Sequence, residues 1–319
     1  MQRLHYNNFI RNPYVKIARP DHWIKQLFII PGILIAILLV EDVSFDMDFL
    51  ISIAIGFLGT CFIASANYVI NEYLDAEFDK YHPTKKNRPV VTQNLDRKII
   101  YLEYIALAIL GLACAFFVTM PFFLVDLVLL IMGILYNVRP FRTKDIPFLD
   151  VLSESFNNAL RLLLGWFIIT NQFLPPVSII TGYWMFGAFL MGIKRFAEYR
   201  MINDSKKAAL YRKSFAGYNE YTLLASSIFY ALLSVFLCGT FLIKYKIELL
   251  FCIPFLCLLF CYYLYISFKP DSAVQKPEKI YREKGLLILL AIFTILFVVL
   301  LFIDIPYLDI LLDPDLIGL

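Results

Sequence analysis

The sequence predicts an all-α polytopic membrane protein of nine transmembrane helices, and three observations carry that prediction. Of its 319 residues, 60% are hydrophobic and 17% charged, against roughly 25% charged in an average soluble domain. The apolar residues are grouped into uncharged runs at 26–40, 49–71, 104–125, 162–193, 221–243, 249–268 and 285–303, several long enough for a helix to cross a hydrocarbon core of ~30 Å. Finally, 26 of the 29 lysines and arginines fall in alternate loops, as expected if those loops are cytoplasmic.

The spans are expected near 23–40, 49–70, 99–118, 122–138, 151–170, 177–195, 220–243, 248–268 and 285–303. The fourth carries Asp126, and Pro175-Pro176 divides the long run 162–193 into the fifth and sixth. The N-terminus and the loops at 71–98, 139–150, 194–219 and 269–284 hold the 26 cations. On the other side only Lys244 and Lys246 appear, and Arg161 lies within a helix. Residues 1–319 then form one membrane domain, N-terminus in the cytoplasm and C-terminus outside, consistent with a cytoplasmic (inner) membrane. The first apolar run follows about 22 polar and basic residues without a small-residue cleavage site, so it is expected to remain as the first helix.

Composition excludes several function classes. A net charge of +3 does not imply nucleic acid. Cys61, Cys114, Cys238, Cys252, Cys257 and Cys261 sit inside apolar runs without a CxxC pair, which suits packing. His5, His22 and His82 are too scattered to suggest a metal site.

The chemistry is expected at the inner end of the second span. Asn67, Asn71, Asp75 and Asp79 recur every four residues, stacking on one slowly drifting helix face. Like charges so placed repel unless a cation lies between them. Mg²⁺ suits the position, since it takes one or two carboxylates and completes its octahedron with water and phosphate oxygens. A solvated helix end would carry the same residues, and on either reading replacing Asp75 or Asp79 should leave folding intact.

His82-Pro83-Thr84-Lys85-Lys86-Asn87-Arg88-Pro89 follows, a rigid turn whose cations stand beside the carboxylates. Such cations neutralise the phosphate oxygens that a metal leaves free, although cytoplasmic loops are basic in any case. Glu154, Asn157, Asn158 and Arg161 form a polar stripe at i, i+3, i+4 and i+7 on the fifth span, where charge is costly and faces a cavity or a partner. Lys194 and Glu198 stand at i, i+4 at the inner end of the sixth.

These residues resemble a known family. Asn71-x-x-x-Asp75-x-x-x-Asp79 closing the second of nine helices, with the N-terminus inside, is similar to the UbiA superfamily of intramembrane prenyltransferases. Arg19-Pro20-x-x-Trp23-x-Lys25, the turn His82-Pro83-x-Lys85-x-x-Arg88-Pro89, and Lys194-Arg195-x-Ala197-Glu198 resemble its decaprenyl-phosphate phosphoribosyltransferase branch. The resemblance implies a cavity facing the cytoplasm and two aspartate-rich motifs holding Mg²⁺ and a diphosphate. Glu72 stands where the first motif usually has an aspartate. The second motif departs, Asp145 and Asp150 being five apart around Pro147, so only Asp150 is carried over.

On this reading 5-phosphoribose passes from phosphoribosyl diphosphate to a polyprenyl phosphate. Asn71, Glu72, Asp75 and Asp79 hold Mg²⁺, while Lys85, Arg88, Lys194 and Arg195 neutralise the leaving diphosphate. Trp23 and Lys25 meet the lipid phosphate, and Glu154, Asn157, Asn158 and Arg161 line the sugar pocket. Asn67, Tyr136, Asp150 and Glu198 complete the substrate-facing set. A lipid phosphate is already ionised, so no general base is required. The alternatives are transfer of a prenyl group from a prenyl diphosphate to an aromatic or other acceptor, and, outside enzymes, a membrane transporter.

Overall fold

The structure, a computed structural model, describes residues 12–41, 43–82, 85–269, 272–275 and 282–308. His5, the cations Arg3, Arg11, Lys276 and Lys279, Pro83 and Thr84 of the basic turn, and the tail from 309 lie outside them. Every regular element among the described residues is helical. In chain order these are α1 (Pro13–Ile17), a 3-10 segment (Pro20–Ile29) running into α2 (Ile30–Leu39), α3 (Met47–Asp79), α4 (Pro89–Thr92), α5 (Arg97–Val118) and α6 (Met120–Asn137). They continue with α7 (Leu149–Ile169), α8 (Val177–Ile202), α9 (Ser205–Tyr211), α10 (Glu220–Tyr245), α11 (Ile253–Ser267) and α12 (Lys284–Leu301).

Eight helical stretches among the described residues are long and apolar enough to cross a membrane: Pro13–Leu39, α3, α5, α6, α8, α10, Ile247–Ser267 and α12. The fifth expected span, α7, is 21 residues long, but Asp150, Glu154 and Arg161 interrupt its apolar character. The first expected span begins as a 3-10 helix rather than an α-helix. The second runs nine residues past its expected end, as α3 continues to Asp79.

Helix starts follow from short polar side chains that accept otherwise unpaired N–H groups. Asp46 accepts from Phe49 N at 2.9 Å, Asp96 from Lys98 N at 2.8 Å and Thr119 from Phe122 N at 3.2 Å. Asn219 and Thr222 form a reciprocal capping box at α10, which satisfies two such groups at once.

The described contacts gather into two compact units, Met1–Pro175 with Ile202–Tyr218, and Pro176–Met201 with Asn219–Leu319, where the sequence reading had one domain. In the first, α3 packs along α5 and also meets α6, while α7 packs on α2 and α6. Helices α2 and α7 approach closely through Gly32 and Gly165. A methyl group on the former would strike the Leu162 carbonyl, and one on the latter the Ile29 carbonyl. Small residues of this kind let backbones meet in a membrane, where apolar surface gains little by helix contact. Trp23 donates from Nε1 to Ser65 Oγ at 2.9 Å, fastening the 3-10 segment to α3.

In the second unit, Phe260 of α11 lies against Phe186 and Phe189 of α8, with ring centroids 5.7 and 4.6 Å apart. Ser234 of α10 donates to the Gly182 carbonyl of α8 at 2.9 Å. Gln275 donates to the Ala197 carbonyl at 3.1 Å, tying the segment after α11 to the end of α8.

Candidate active site

A helix of 33 residues is about 50 Å long, exceeding a ~30 Å hydrocarbon core by several turns. The acidic face of α3 is therefore carried to the polar boundary, where two clusters of opposite charges surround it. In the first, Asp75 Oδ1 accepts from Lys144 Nζ at 2.5 Å and from Arg142 Nη2 at 2.9 Å. Arg142 also donates to Asp145 at 3.1 and 3.2 Å and to the Asn137 carbonyl at 3.1 Å. Its guanidinium lies over the Phe78 ring, 4.8 Å from the centroid. These bonds hold Arg142 in a left-handed backbone conformation (φ 27°, ψ 60°), which costs about 1–3 kcal/mol in a residue with a side chain. Burial pulls the Lys144 ammonium down to about 8, with Asp75 opposing that shift and Arg142 adding to it.

The second cluster joins Asp79 to the basic turn. Arg88 Nη1 donates to Asp79 Oδ2 at 2.7 Å, and its Nε lies 3.9 Å from Glu72 Oε2. Burial works against the Arg88 charge, but Asp79 and Glu72 outweigh it and raise its pKa. His82 is buried, accepts from Lys85 N at 3.1 Å and stands 4.5 Å, ring to ring, from Tyr211. Lys85 Nζ lies over that same tyrosine ring at 4.6 Å and donates to its hydroxyl. Asp79 is only 2% exposed, so the expectation of a wet helix end is corrected at that residue. Both carboxylates are ion-paired: removing Asp75 strands the Lys144 ammonium, and removing Asp79 leaves Arg88 only the 3.9 Å contact with Glu72.

One cleft is lined by Asp75, Phe78, Asp79, Arg142, Lys144, Asp145, Tyr211, Arg212 and Lys213. No three His, Cys, Asp or Glu side chains among the described residues form a closed ion cage. Mg²⁺ does not need one, since it keeps several waters and shares its coordination sphere with substrate phosphates. The donor set fits it in a specific way. Glu72 Oε1 is buried without a hydrogen bond. Among the described residues the bonds of Asp75 fall on Oδ1 and those of Asp79 on Oδ2, so each carboxylate keeps an oxygen for a cation.

Other expected site residues are placed as follows. Asn67 donates to the Leu129 carbonyl at 3.0 Å and is pressed against Gly133, so it packs α3 on α6. On α7, Glu154 accepts from the Tyr136 hydroxyl at 2.6 Å. Arg161 donates to Gln26 at 2.8 Å and to Asn158 at 3.1 Å, while Asn157 Oδ1 is buried without a donor. Trp23 is engaged by Ser65, as above, and Lys25 Nζ lies 2.9 Å from His22 Nδ1. Asp150 is fully buried and accepts from Tyr218 at 2.6 Å and Ser214 at 3.1 Å, with Arg212 at 3.5 Å. It thereby fastens the segment after α9 to α7. Lys194, Arg195 and Glu198 lie on α8 in the second unit, where Arg195 donates to Glu198 at 3.3 Å.

Sequence reasoning missed Arg142, Lys144, Asn137, Tyr211 and Arg212. It counted the cations among them only as topological charge, and no spacing rule connects Asn137 or Tyr211 to the acidic helix. The available signal was Asn137 itself, a polar residue closing an apolar helix seven residues before a lysine.

The profile of the UbiA prenyltransferase family matches residues 29–284. Decaprenyl-phosphate phosphoribosyltransferase from Corynebacterium glutamicum is 28% identical over 205 residues, 64% of this chain and 59% of that protein. The Mycobacterium tuberculosis protein of the same name is 28% identical over 208 residues, 65% of this chain and 66% of its own length. The match thus spans about three fifths to two thirds of these relatives. Among solved structures, a UbiA homolog from Archaeoglobus fulgidus bound to DMAPP and Mg²⁺ superposes with a TM-score of 0.68 at 22% identity, covering 92% of this chain and 100% of that one. With membrane-spanning helices, that fold and a family match over most of its length, the chain is a multi-pass membrane protein that belongs to the UbiA prenyltransferase family.

Proposed function

We propose that this protein transfers 5-phosphoribose from phosphoribosyl diphosphate to a polyprenyl phosphate, with Mg²⁺, on the cytoplasmic side of the membrane. The observation that carries this reading is the number of cations gathered around the acidic end of α3. Arg142, Lys144, Arg212 and Lys213 line the cleft, and Arg88 is paired to Asp79. One prenyl diphosphate demands fewer cations than a sugar that bears a 5-phosphate as well as a diphosphate. The names of the corynebacterial and mycobacterial relatives support the same branch.

In this mechanism an oxygen of the lipid phosphate attacks C1 of the ribose, the C1–O bond to the diphosphate breaks, and the electron pair leaves with the diphosphate. Asn71, Asp75 and Asp79 would hold the metal, with Glu72 beside them. Mg²⁺, when bound, would supply positive charge against the diphosphate. Lys85, Arg88, Arg142 and Lys144 meet the negative charge that accumulates on the leaving group, in a cleft where such contacts strengthen as the bond breaks. The attacking phosphate is ionised at neutral pH, so no side chain need remove a proton.

The second reading, prenyl transfer, is favoured by the DMAPP and Mg²⁺ held by the Archaeoglobus structure. One experiment separates them. Purified protein with Mg²⁺ is given phosphoribosyl diphosphate plus polyprenyl phosphate, or a prenyl diphosphate plus a panel of acceptors, and lipid products are identified by mass. A phosphoribosylated lipid supports the first reading. A prenylated acceptor with no consumption of phosphoribosyl diphosphate replaces it with the second.

A further inference from the structure

Asn137 closes α6 and is buried, at 2% exposure, where three parts of the cleft meet. Its Oδ1 accepts from Lys144 Nζ at 2.7 Å and from Asn71 Nδ2 at 2.5 Å. Its Nδ2 donates to the Gly133 carbonyl at 2.8 Å, and its own carbonyl accepts from Arg142 Nη1 at 3.1 Å.

The orientation of an amide is settled by its partners, since its oxygen and nitrogen ends have the same shape. An ammonium can only donate and a backbone carbonyl can only accept. Lys144 therefore requires oxygen at one end of the Asn137 amide, and Gly133 requires nitrogen at the other. Turning that amide over would set NH₂ against an ammonium and oxygen against a carbonyl, two repulsive contacts in a buried place. With Asn137 fixed, the group facing its oxygen must be a donor, so Asn71 presents its NH₂ there. The carbonyl oxygen of Asn71 is then the opposite end, and no bond falls on it among the described residues.

We infer that Asn137 is a positioning residue, relaying the donor-only character of Lys144 to Asn71 so that Asn71 offers a cation its oxygen and not its NH₂. This inference rests on the reading of Asn71, Asp75 and Asp79 as the metal-holding set. A hard cation such as Mg²⁺ takes oxygen donors, and an amide presented nitrogen-first would repel it. Besides meeting the leaving group, Lys144 thus has two tasks at rest, an ion pair with Asp75 and the polarity of a two-amide chain.

The test measures metal binding directly. Mn²⁺ is titrated into detergent-purified protein with inorganic pyrophosphate, and bound ion is read by electron paramagnetic resonance. The proteins are wild type, Asn137→Leu, Asn71→Asp, the double variant and, as a control, Asp75→Asn. Asn137→Leu should weaken Mn²⁺ at least tenfold. In the Asn71→Asp background both ends of residue 71 are oxygen and orientation no longer matters, so adding Asn137→Leu should cost less than threefold. A merely structural role predicts the same loss in both backgrounds, and that result overturns the inference, as does wild-type affinity in Asn137→Leu. If Asn137→Leu fails to fold, Asn137→Ala serves instead, alone and with Asn71→Asp: a loss of at least tenfold alone and less than threefold in the Asn71→Asp background is expected, and equal losses in both overturn the inference. If wild type binds no Mn²⁺, or Asp75→Asn binds it normally, the metal-site reading itself falls, and the inference with it. Loss in Asp75→Asn with none in Asn137→Leu removes the inference alone.

Discussion

Replacing Asp75 by asparagine separates two jobs that one carboxylate performs. Its Oδ1 takes charge-assisted bonds from Lys144 at 2.5 Å and Arg142 at 2.9 Å, and each such bond contributes roughly 1.5–3 kcal/mol. Breaking a buried pair from one side costs more than the pair is worth, about 3–5 kcal/mol, because the surviving charge stays buried. Lys144 is 4% exposed at its side chain, Arg142 8% and Asp75 17%. Arg142 keeps Asp145 as a partner. The bottom of that range, about 3 kcal/mol, is therefore expected for Asp75→Asn in metal-free protein. Reversible unfolding in mixed micelles with EDTA measures it. Adding Lys144→Met removes the stranded ammonium and should return stability to within about 1 kcal/mol of wild type. Turnover should stay abolished in both variants if the carboxylate also holds the metal. Wild-type stability in Asp75→Asn would refute the ion-pair argument, and retained turnover in either variant would refute the catalytic one.

Arg88→Ala should raise the KM for phosphoribosyl diphosphate and lower kcat/KM about 10- to 150-fold, the equivalent of one charge-assisted bond; steady-state kinetics on the folded, monodisperse fraction decides it. Asp150→Ala removes the carboxylate that accepts from Tyr218 and Ser214, so limited proteolysis between Asn203 and Lys213 should quicken at least tenfold, and unchanged cleavage would show that Asp150 does not hold this segment. Gly165→Val drives a side chain into the Ile29 carbonyl and should abolish recovery of folded protein, whereas Gly239→Ala, with nothing within 4 Å, should be tolerated; equal yields would refute the close approach of α2 and α7. A reporter inserted within 200–215 should report the cytoplasm and one fused after Leu319 the opposite side, with a shared side removing a helix from the expected topology.

The spans were legible because membrane crossing is a summed property. Any run such as 285–303, apolar from end to end, must be a buried or lipid-facing helix, and α12 ends within two residues of that run. Helix starts were harder, though the signals are local: Asp46, Asp96, Thr119 and Asn219 each stand one residue ahead of a helix. The length of α3 was not legible, since apolarity stops at Asn71 while the helix continues to Asp79. Beyond Asn71 what sustains it is pairing of its acidic face with Arg88, Arg142 and Lys144, two of them more than sixty residues away.

The same distinction explains which site residues could be read. Asp75 and Asp79 announce themselves because two acids a helical turn apart lack a local reason to coexist. Lys144 does not, because a lysine in a cytoplasmic loop already has a sufficient reason to be there. Only burial separates it from Lys206, an exposed cation on the short helix α9 of another basic segment. Once buried, an ammonium must find acceptors for its protons, and the acceptors in reach are Asp75 and Asn137. The requirement propagates, because Asn137 has one oxygen and spends it on two donors, leaving Asn71 a single admissible orientation. Each link is compulsory once Lys144 is known to be inside, and none is visible before, so here the chemistry of the cleft becomes readable through the burial of one cation rather than through the spacing of its carboxylates.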